Sequence, residues 1–142
     1  MMVSTRGRYA LQVMIDLAEH NNGEFIPMKE VAKRQELSLK YLERILPVLS
    51  KNNLIAGVHG KGGGYRLNRV PEAYKVGEIL RLTEGDLAPV SCLSANGEHS
   101  YSKAEYRTMK MWNDFYKITN DFFDNITIAD LMNTEYVNNY VI

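Results

Sequence analysis

Residues 37–67 (LSLKYLERILPVLSKNNLIAGVHGKGGGYRL) constrain the fold more than any other part of the chain. Ser38, a residue type favoured at helix N-caps, precedes apolar residues at helical spacing. These residues are Leu42, Ile45, Leu46 and Leu49. Two strand-like runs follow, Leu54–Val58 and Tyr65–Leu67, and the glycine-rich segment between them permits a tight turn. A helix fits the DNA major groove and a hairpin tip reaches the neighbouring backbone or minor groove, so we predict a recognition helix and a wing.

The outward face of the predicted recognition helix carries polar side chains. Those expected to meet DNA are Lys40, Tyr41, Glu43 and Arg44. Pro47 interrupts the pattern, because proline inside a helix removes the backbone hydrogen bond to the carbonyl four residues earlier, at a cost of about 3 kcal/mol. Either the helix kinks at Pro47, or it is divided into a reading half and a packing half.

The turn from His59 to Gly64 also invites comparison with a phosphate-binding loop. That motif has the pattern GxxxxGK followed by Ser or Thr, and it opens a helix. Here Lys61 precedes Gly62, and a strand-like segment follows the glycines. The context therefore favours a wing over a nucleotide site.

Two shorter helices are predicted before residue 37. The first begins with Ser4 or Thr5 as N-cap and runs to about His20; the second, MKEVAKRQ, follows Pro27. In the second, Val31 and Ala32 are expected inside, and the cations expected outside are Lys29, Lys33 and Arg34. Short helices joined by a tight turn are typical of a helix-turn-helix.

Arg6 and Arg8 lie in the first turn of the first predicted helix, where cations oppose the helix dipole. Contact with phosphate would explain this placement. The alternative is two solvated arginines.

The net charge of zero conceals a polarised chain. Residues 1–70 carry eleven Lys and Arg against six Asp and Glu, whereas residues 71–142 carry six against eleven. A basic half suits a polyanion, although an uneven split of ordinary surface charge is the alternative. No apolar run is long enough to span a membrane, and the N-terminus lacks the apolar core of a signal peptide, so a cytoplasmic protein is expected.

The acidic half begins with a short predicted helix that Gly85 ends, followed by a loop from Ala88 to Gly97. The loop is too long for a simple connection, so it is either functional or held by packing. Ser102 and Glu105 form a capping box that opens the longest helix, which runs to about Ile126.

Two apolar stripes run along this long helix. The first repeats as in a coiled-coil seam and comprises Met109, Trp112, Tyr116, Thr119, Phe123 and Ile126. The second comprises Met111, Phe115, Ile118 and Phe122. Two stripes need two partners, the chain's own body and a symmetry mate, unless the helix is central in a larger monomer. The residues assigned to dimerisation are Met109, Trp112, Tyr116 and Phe123.

Five segments in fixed order, TRGRYAL, SLKYLER, GKGGGYRL, VGEILRLTEG and LAPVSCL, resemble the Rrf2 family of bacterial winged-helix regulators across essentially the whole chain. The resemblance implies a homodimer joined through the long helix, with the third helix in the major groove and the wing in the minor groove. It places Ser38, Lys40, Tyr41 and Glu43 on the reading helix. It places the wing at residues 59–64, including Lys61, Gly62 and Gly63.

One departure from the family lies in the wing, where His59 replaces a usual arginine. Arginine inserts well into a narrow, electronegative minor groove. A neutral histidine binds more weakly there, so either the preferred site differs or the contact strengthens when His59 is protonated.

A second departure concerns cysteine. Cluster-binding members of the family place three cysteines and a further ligand before the long helix, whereas this chain has only Cys92, with His99 nearby. No iron–sulfur cofactor and no metal site is therefore expected. Cys92 and His99 remain effector candidates, and the alternatives are a cluster pooled across a dimer, a redox-sensing thiol and simple packing.

The tail ends Asn-Tyr-Val-Ile, which is similar to the ending of cluster-free family members. In such members a cysteine-synthase enzyme carries the signal. The hypothesis is that Tyr140 and Ile142 bind O-acetylserine sulfhydrylase, with the terminal carboxylate on backbone donors. The alternative is a tail that packs on the dimer.

The predicted fold class is mainly α with a small β-hairpin, a winged helix-turn-helix plus a long dimerisation helix. Its predicted parts are a DNA-binding region (1–70), a short helix and effector loop (71–101), the dimerisation helix with a following short helix (102–132) and a tail (133–142). The predicted function is a homodimeric repressor of cysteine and sulfur or of iron–sulfur and redox metabolism. The rival is a winged interaction module without DNA. An enzyme lacks support, because no nucleophile–base pair or metal-ligand spacing is evident.

Overall fold

The computed structural model describes residues 2–94, 97 and 102–132. Within these residues the helices are α1 (Thr5–Glu19), α2 (Met28–Gln35), α3 (Leu39–Lys51), α4 (Val76–Glu84), α5 (Lys103–Asp124) and α6 (Ile128–Met132). The strands are β1 (Ile55–Val58) and β2 (Gly64–Leu67), and short 3₁₀ turns lie at Pro71–Ala73 and Ser91–Leu93. The predicted class, mainly α with one small hairpin, is confirmed.

A single apolar cluster joins the first three helices to the hairpin and to α6. The predicted stripes of α1 and α3 are buried in it: Ala10, Val13, Met14, Leu17, Ala18, Leu42, Ile45, Leu46 and Leu49. Ile128 of α6 is also fully buried there. The body that carries α3 therefore includes a helix from near the end of the described chain.

The N-caps of α1, α3 and α5 are the predicted serines. Ser4 Oγ accepts from the backbone N–H of Gly7, and Ser38 Oγ accepts from that of Tyr41 at 3.0 Å. Ser102 and Glu105 form the predicted capping box. These caps fix where each helix begins, because each satisfies a backbone donor that has no partner inside its helix.

Helix α3 is continuous through Pro47, so its division into two helices is wrong. Pro47 and Glu43 are both exposed. The Glu43 carbonyl that loses its helical donor therefore lies on the solvent side, where water can satisfy it. The buried stripe on the other side continues across the proline to Leu49.

The hairpin is antiparallel, with Ile55 opposite Leu67 and Val58 opposite Gly64. Ile26 adds a bridge to Tyr65, with N···O distances of 2.8 and 2.9 Å. A Cβ atom at Gly64 would overlap the backbone of Ile26, and its φ is +154°, so the residue has to be glycine. The wing is thereby attached to the segment that precedes α2.

Tyr74 connects the hairpin to the start of α4. It is fully buried; its hydroxyl donates to the carbonyl of Leu54 at 2.6 Å and accepts from the backbone N–H groups of Asn68 and Arg69. Burial raises the pKa of this phenol above its ordinary value of 10.0, so the hydroxyl keeps its proton. Arg69 also pairs with Glu78 of α4 through two bonds of 2.9 and 3.0 Å.

Helix α5 is attached to α4 by Arg81, which donates to both carboxylate oxygens of Asp124 and to Asn120. Gly77 permits this approach, since a Cβ atom there would overlap the Asp124 carboxylate. No helix in the described part of the chain is long and apolar enough to cross a membrane.

The packing of α5 turns its first apolar stripe toward the chain's own body. Met109 is buried, and Tyr116 and Phe123 pack against the chain's own apolar cluster around Val76, Leu80 and Leu87. Trp112 is half-buried. The second stripe is exposed instead: Met111, Phe115, Ile118 and Phe122. The residues assigned to dimerisation thus lie mostly on the face that α5 turns toward α4, and their role between subunits stays a prediction.

Candidate DNA-binding surface

The outward face of α3 carries four exposed polar side chains, Ser38, Lys40, Glu43 and Arg44. The apolar stripe on the opposite face holds α3 against α1 and the hairpin. Because the buried face cannot turn outward, these polar side chains are presented in one direction. A convex helix with two cations suits the width and charge of the major groove.

The first turn of α1 lies beside this face. Ser4, Thr5 and Arg6 line a cleft of about 310 Å³ together with Tyr41, Arg44 and Ile45. Arg6 and Arg44, 38 positions apart in the chain, thus share one cleft. Arg8 is exposed in the next part of the same turn. Sequence reasoning named these arginines separately, and the fold brings Arg6 to the recognition helix.

Tyr41 has a different position from the one expected of a base-reading side chain. It is half-buried, and its hydroxyl shares a 2.7 Å hydrogen bond with Thr5 Oγ1. Its ring packs edge-to-face on Tyr9, with centroids 5.1 Å apart. Tyr41 therefore joins α3 to α1, and only part of its surface is available to DNA.

The wing tip presents His59, Lys61 and Gly62 to solvent, whereas Gly63 is half-buried. Gly62 has φ of +79°, and a Cβ atom at Gly63 would overlap the backbone oxygen atoms of Val58 and Gly60. Both glycines are required by the turn itself. His59 and Lys61 are then the side chains at the tip that can contact a nucleic acid.

Arg66 fixes the base of the wing, a role that sequence reasoning missed. Its guanidinium donates to the carbonyl of Gly23 at 2.8 Å and lies over the ring of Phe25, 4.4 Å from the centroid. Both partners belong to the α1–α2 connection. Arg66 is far along the chain from Gly23 and Phe25, so no local sequence pattern indicates this contact.

A second missed contact joins the two helices that precede α3. Asp16 is fully buried and accepts two hydrogen bonds from Arg34, at 2.8 and 3.0 Å, and one from Gln35 at 3.0 Å. Arg34 is exposed, as predicted, but the ion pair that it forms with Asp16 was not predicted. An aspartate between apolar residues of α1 was the available signal, because a buried carboxylate needs a cation.

The pKa of Asp16 reflects this setting. Burial by itself would raise it, but the hydrogen bonds from Arg34 and Gln35, with the charges of Arg34 and His20, lower it below the ordinary 3.8. Asp16 is therefore ionised at neutral pH, and the ion pair holds α2 against α1.

Cys92 lies in the 3₁₀ turn at Ser91–Leu93, half-buried, with its Sγ 3.7 Å from the Sδ of Met109. Asp86 ties the same loop together, accepting from the N–H of Ala88 and from Ser94 Oγ. His99, Tyr140 and Ile142 lie outside the described residues. Among residues 2–94, 97 and 102–132, no group of three or more His, Cys, Asp or Glu could hold a metal ion.

A helix-turn-helix with an exposed basic third helix, followed by a hairpin wing, defines a winged-helix DNA-binding protein. The chain belongs to the Rrf2 family, whose model, described as an iron-dependent transcriptional regulator, matches residues 3–134.

Individual relatives agree with this assignment. The HTH-type transcriptional regulator IscR of Erwinia tasmaniensis is 33% identical over 137 residues, 96% of this chain and 82% of that protein. The structure of CymR, the global cysteine regulator of B. subtilis, has a TM-score of 0.77 at 30% identity and covers 93% of this chain and 96% of its own. IscR of T. potens has a TM-score of 0.73 at 33% identity, and the match covers 100% of this chain and 93% of that chain. The protein is thus a DNA-binding transcriptional regulator and not an enzyme.

Proposed function

We propose that the protein is a homodimeric repressor that binds a pseudo-palindromic operator. Helix α3 enters the major groove, and the wing reaches the adjacent minor groove. The observation that carries this proposal is the shared cleft of Arg6 and Arg44 beside the exposed face of α3. In a two-fold dimer the half-sites would lie about one helical turn apart, roughly 34 to 36 Å.

The exposed stripe of α5 supports the dimer. Met111, Phe115, Ile118 and Phe122 are 43% to 67% exposed and lie along one side of a 22-residue helix. A row of large apolar side chains in water is unfavourable on a monomer and commonly marks an interface. Two such helices related by a two-fold axis would cover each other's stripes, because the same patch serves both partners. We therefore assign dimerisation to this stripe.

An iron–sulfur cluster forms no part of the proposal. The family description names iron, but protein-bound clusters are held by several thiolates, and this chain has one cysteine. The Cys92 thiol lies against the thioether of Met109, a weak acceptor. These residues do not fit a cluster. Effector input is assigned instead to residues 88–101 or to the tail.

Replacing Arg44 with alanine should weaken operator binding by about 1–3 kcal/mol, or roughly five- to 150-fold. The reason is the loss of a cation from the exposed face of α3. Fluorescence anisotropy over a series of salt concentrations measures it, using duplexes that the wild-type protein selects from a random library. Wild-type affinity should fall steeply as salt rises.

Lys103→Ala is the matched control, because it removes one positive charge from an exposed position at the start of α5. Its affinity should stay close to that of the wild type. Equal losses for both variants would mean that net charge, and not the face of α3, determines binding. A salt-independent wild-type affinity would refute DNA binding through this basic surface.

We also propose that the tail binds O-acetylserine sulfhydrylase. The support is the ending Asn-Tyr-Val-Ile together with the likeness to CymR, which is named a global cysteine regulator. Deleting Tyr140–Ile142 should abolish co-purification with that enzyme, because the aromatic side chain of Tyr140 and the apolar side chain of Ile142 are lost. Asn138→Ala, which keeps the last three residues, should bind normally. Unchanged binding by the deletion would contradict the proposal and favour a tail that packs on the dimer.

A further inference from the structure

The first turn of α1 contains two arginines and no acidic residue, although the positive end of the helix dipole lies there. A carboxylate from a distant part of the chain supplies the negative charge that is missing from this helix end. Oε1 of Glu84, the last residue of α4, accepts from the backbone N–H of Ser4 at 3.0 Å and from Ser4 Oγ at 2.6 Å. The two residues are 80 positions apart. Glu84 thus gives α1 the N-terminal anion that its own sequence lacks.

Gly7 makes room for this carboxylate. A Cβ atom at Gly7 would lie 2.5 Å from Glu84 Oε1 and 3.1 and 3.3 Å from the side chains of Val3 and Leu80. Gly7 is buried and has no positive φ, so its backbone conformation does not explain the glycine. The glycine is explained by the close packing of α1 on the end of α4.

The same turn is held from the other side by the recognition helix, through the hydrogen bond between Thr5 Oγ1 and the Tyr41 hydroxyl. Its N-cap is thus fixed to α4 and its first residue to α3. Arg6 follows directly and lines the cleft with Arg44. Helix ends fray when their caps are lost, so these anchors decide whether Arg6 has a fixed position.

We propose that Glu84 is a positioning residue for DNA recognition: it fixes the first turn of α1 so that Arg6 contacts a phosphate beside the groove that receives α3. The inference rests on the proposed function of α3 as the reading helix. The proposed role means that the acidic side chain of Glu84 strengthens binding to a polyanion. Simple charge repulsion has the opposite sign, since removing an anion should tighten DNA binding.

Two substitutions that remove the same negative charge separate the effect of the hydrogen bonds from the effect of the charge. Glu84→Ala removes the carboxylate and both hydrogen bonds, whereas Glu84→Gln removes the charge and keeps an Oε1 atom that can accept both bonds. Both variants are compared with the wild type on the selected duplex and on a short random-sequence duplex, over a salt series. Glu72→Ala, which removes an exposed carboxylate elsewhere on the chain, is the charge control. Thermal unfolding is recorded for every variant.

Glu84→Ala should bind both duplexes roughly five- to tenfold more weakly near 0.1 M salt. Its salt slope should fall by about 1.8, because the dimer has two Arg6 side chains and each phosphate contact contributes about 0.9. Glu84→Gln and Glu72→Ala should match or slightly exceed the wild-type affinity. In an Arg6→Ala background, Glu84→Ala should have no further effect, because its contribution acts through Arg6.

Tighter binding by Glu84→Ala, or an unchanged salt slope, would overturn the inference, and so would equal losses for Glu84→Gln and Glu84→Ala. If Glu84→Ala does not fold, Arg6→Ala alone still tests the phosphate contact on which the inference depends. Arg6→Ala with wild-type affinity and slope refutes the inference while leaving the role of α3 intact. Failure of the proposed function has a separate signature, wild-type protein that binds neither duplex.

Discussion

In the proposed dimer of about 32 kDa, Ile118→Asp should separate the subunits and leave a monomer near 16.2 kDa. Ile118 is 67% exposed in the middle of the apolar stripe of α5. A carboxylate there would be buried without a partner in the symmetric contact, once in each subunit. Affinity for a two-half-site operator should fall by about 100-fold or more, because the second half-site is no longer bound intramolecularly. Light scattering and fluorescence anisotropy measure the two effects.

Asn113→Asp is the control for this experiment. Asn113 is an exposed residue of α5 outside the apolar stripe, and the substitution adds the same negative charge to the same helix. It should leave both the mass and the operator affinity unchanged. A dimer that survives Ile118→Asp would show that subunits meet elsewhere, and the stripe would then need another partner.

Asp16→Asn should destabilise the fold by about 3 kcal/mol at pH 7, which is a fall of roughly 10 °C in Tm for a chain of this size. Asp16 is fully buried, and the substitution removes its negative charge and one of its two acceptor oxygens, so Arg34 loses its counter-ion and at least one hydrogen bond to this side chain is broken. This loss in the free energy of unfolding lies at the lower end of the range for broken buried ion pairs, because the Arg34 side chain is itself 31% exposed. Urea denaturation followed by circular dichroism measures the difference.

The pH dependence of this difference has a definite sign. The folded-state pKa of Asp16 lies below 3.8, so its stabilising contribution is complete above the unfolded-state value and disappears as pH falls through the folded-state value. The gap between wild type and Asp16→Asn should therefore be constant from pH 7 to about 5 and shrink below about 4. A gap that widened in acid would contradict an ionised Asp16.

Asp114→Asn gives the matched comparison. Asp114 is 58% exposed and pairs with Lys110 on α5 at 2.6 Å, a surface pair one helical turn apart. Such exposed pairs contribute little to stability, so this variant should unfold almost like the wild type. A similar loss of stability in both variants would mean that the buried ion pair of Asp16 stabilises the fold no more than an exposed one.

Local sequence chemistry was sufficient to predict the helices and the hairpin. Serine caps and stripes at helical spacing mark α1 and α3, and glycines at the wing meet backbone requirements that only they satisfy. These signals lie within a few residues of the feature they specify. The sequence of α5 likewise showed two apolar stripes.

Contacts between distant segments could not be predicted in this way. The stripe of α5 that faces the body depends on how Arg81 and Gly77 of α4 receive Asp124, and periodicity alone cannot choose between two apolar faces. The bond between Tyr41 and Thr5, and the bond between Glu84 and Ser4, join residues 36 and 80 positions apart. Polar side chains have many possible partners, so composition does not identify the one that the fold selects.

The position of α6 has a consequence for biosynthesis. Backbone bonds from Val76 to Ile126, at 2.8 Å, and from Ile128 to Tyr74, at 3.0 Å, place Ile128 in the core that α1 begins. A ribosome makes α3 and the wing long before it makes α6. We expect the nascent chain to have an incomplete core until residues 128–132 have been made, since domains generally fold as units. Operator recognition would therefore require a chain that extends through α6.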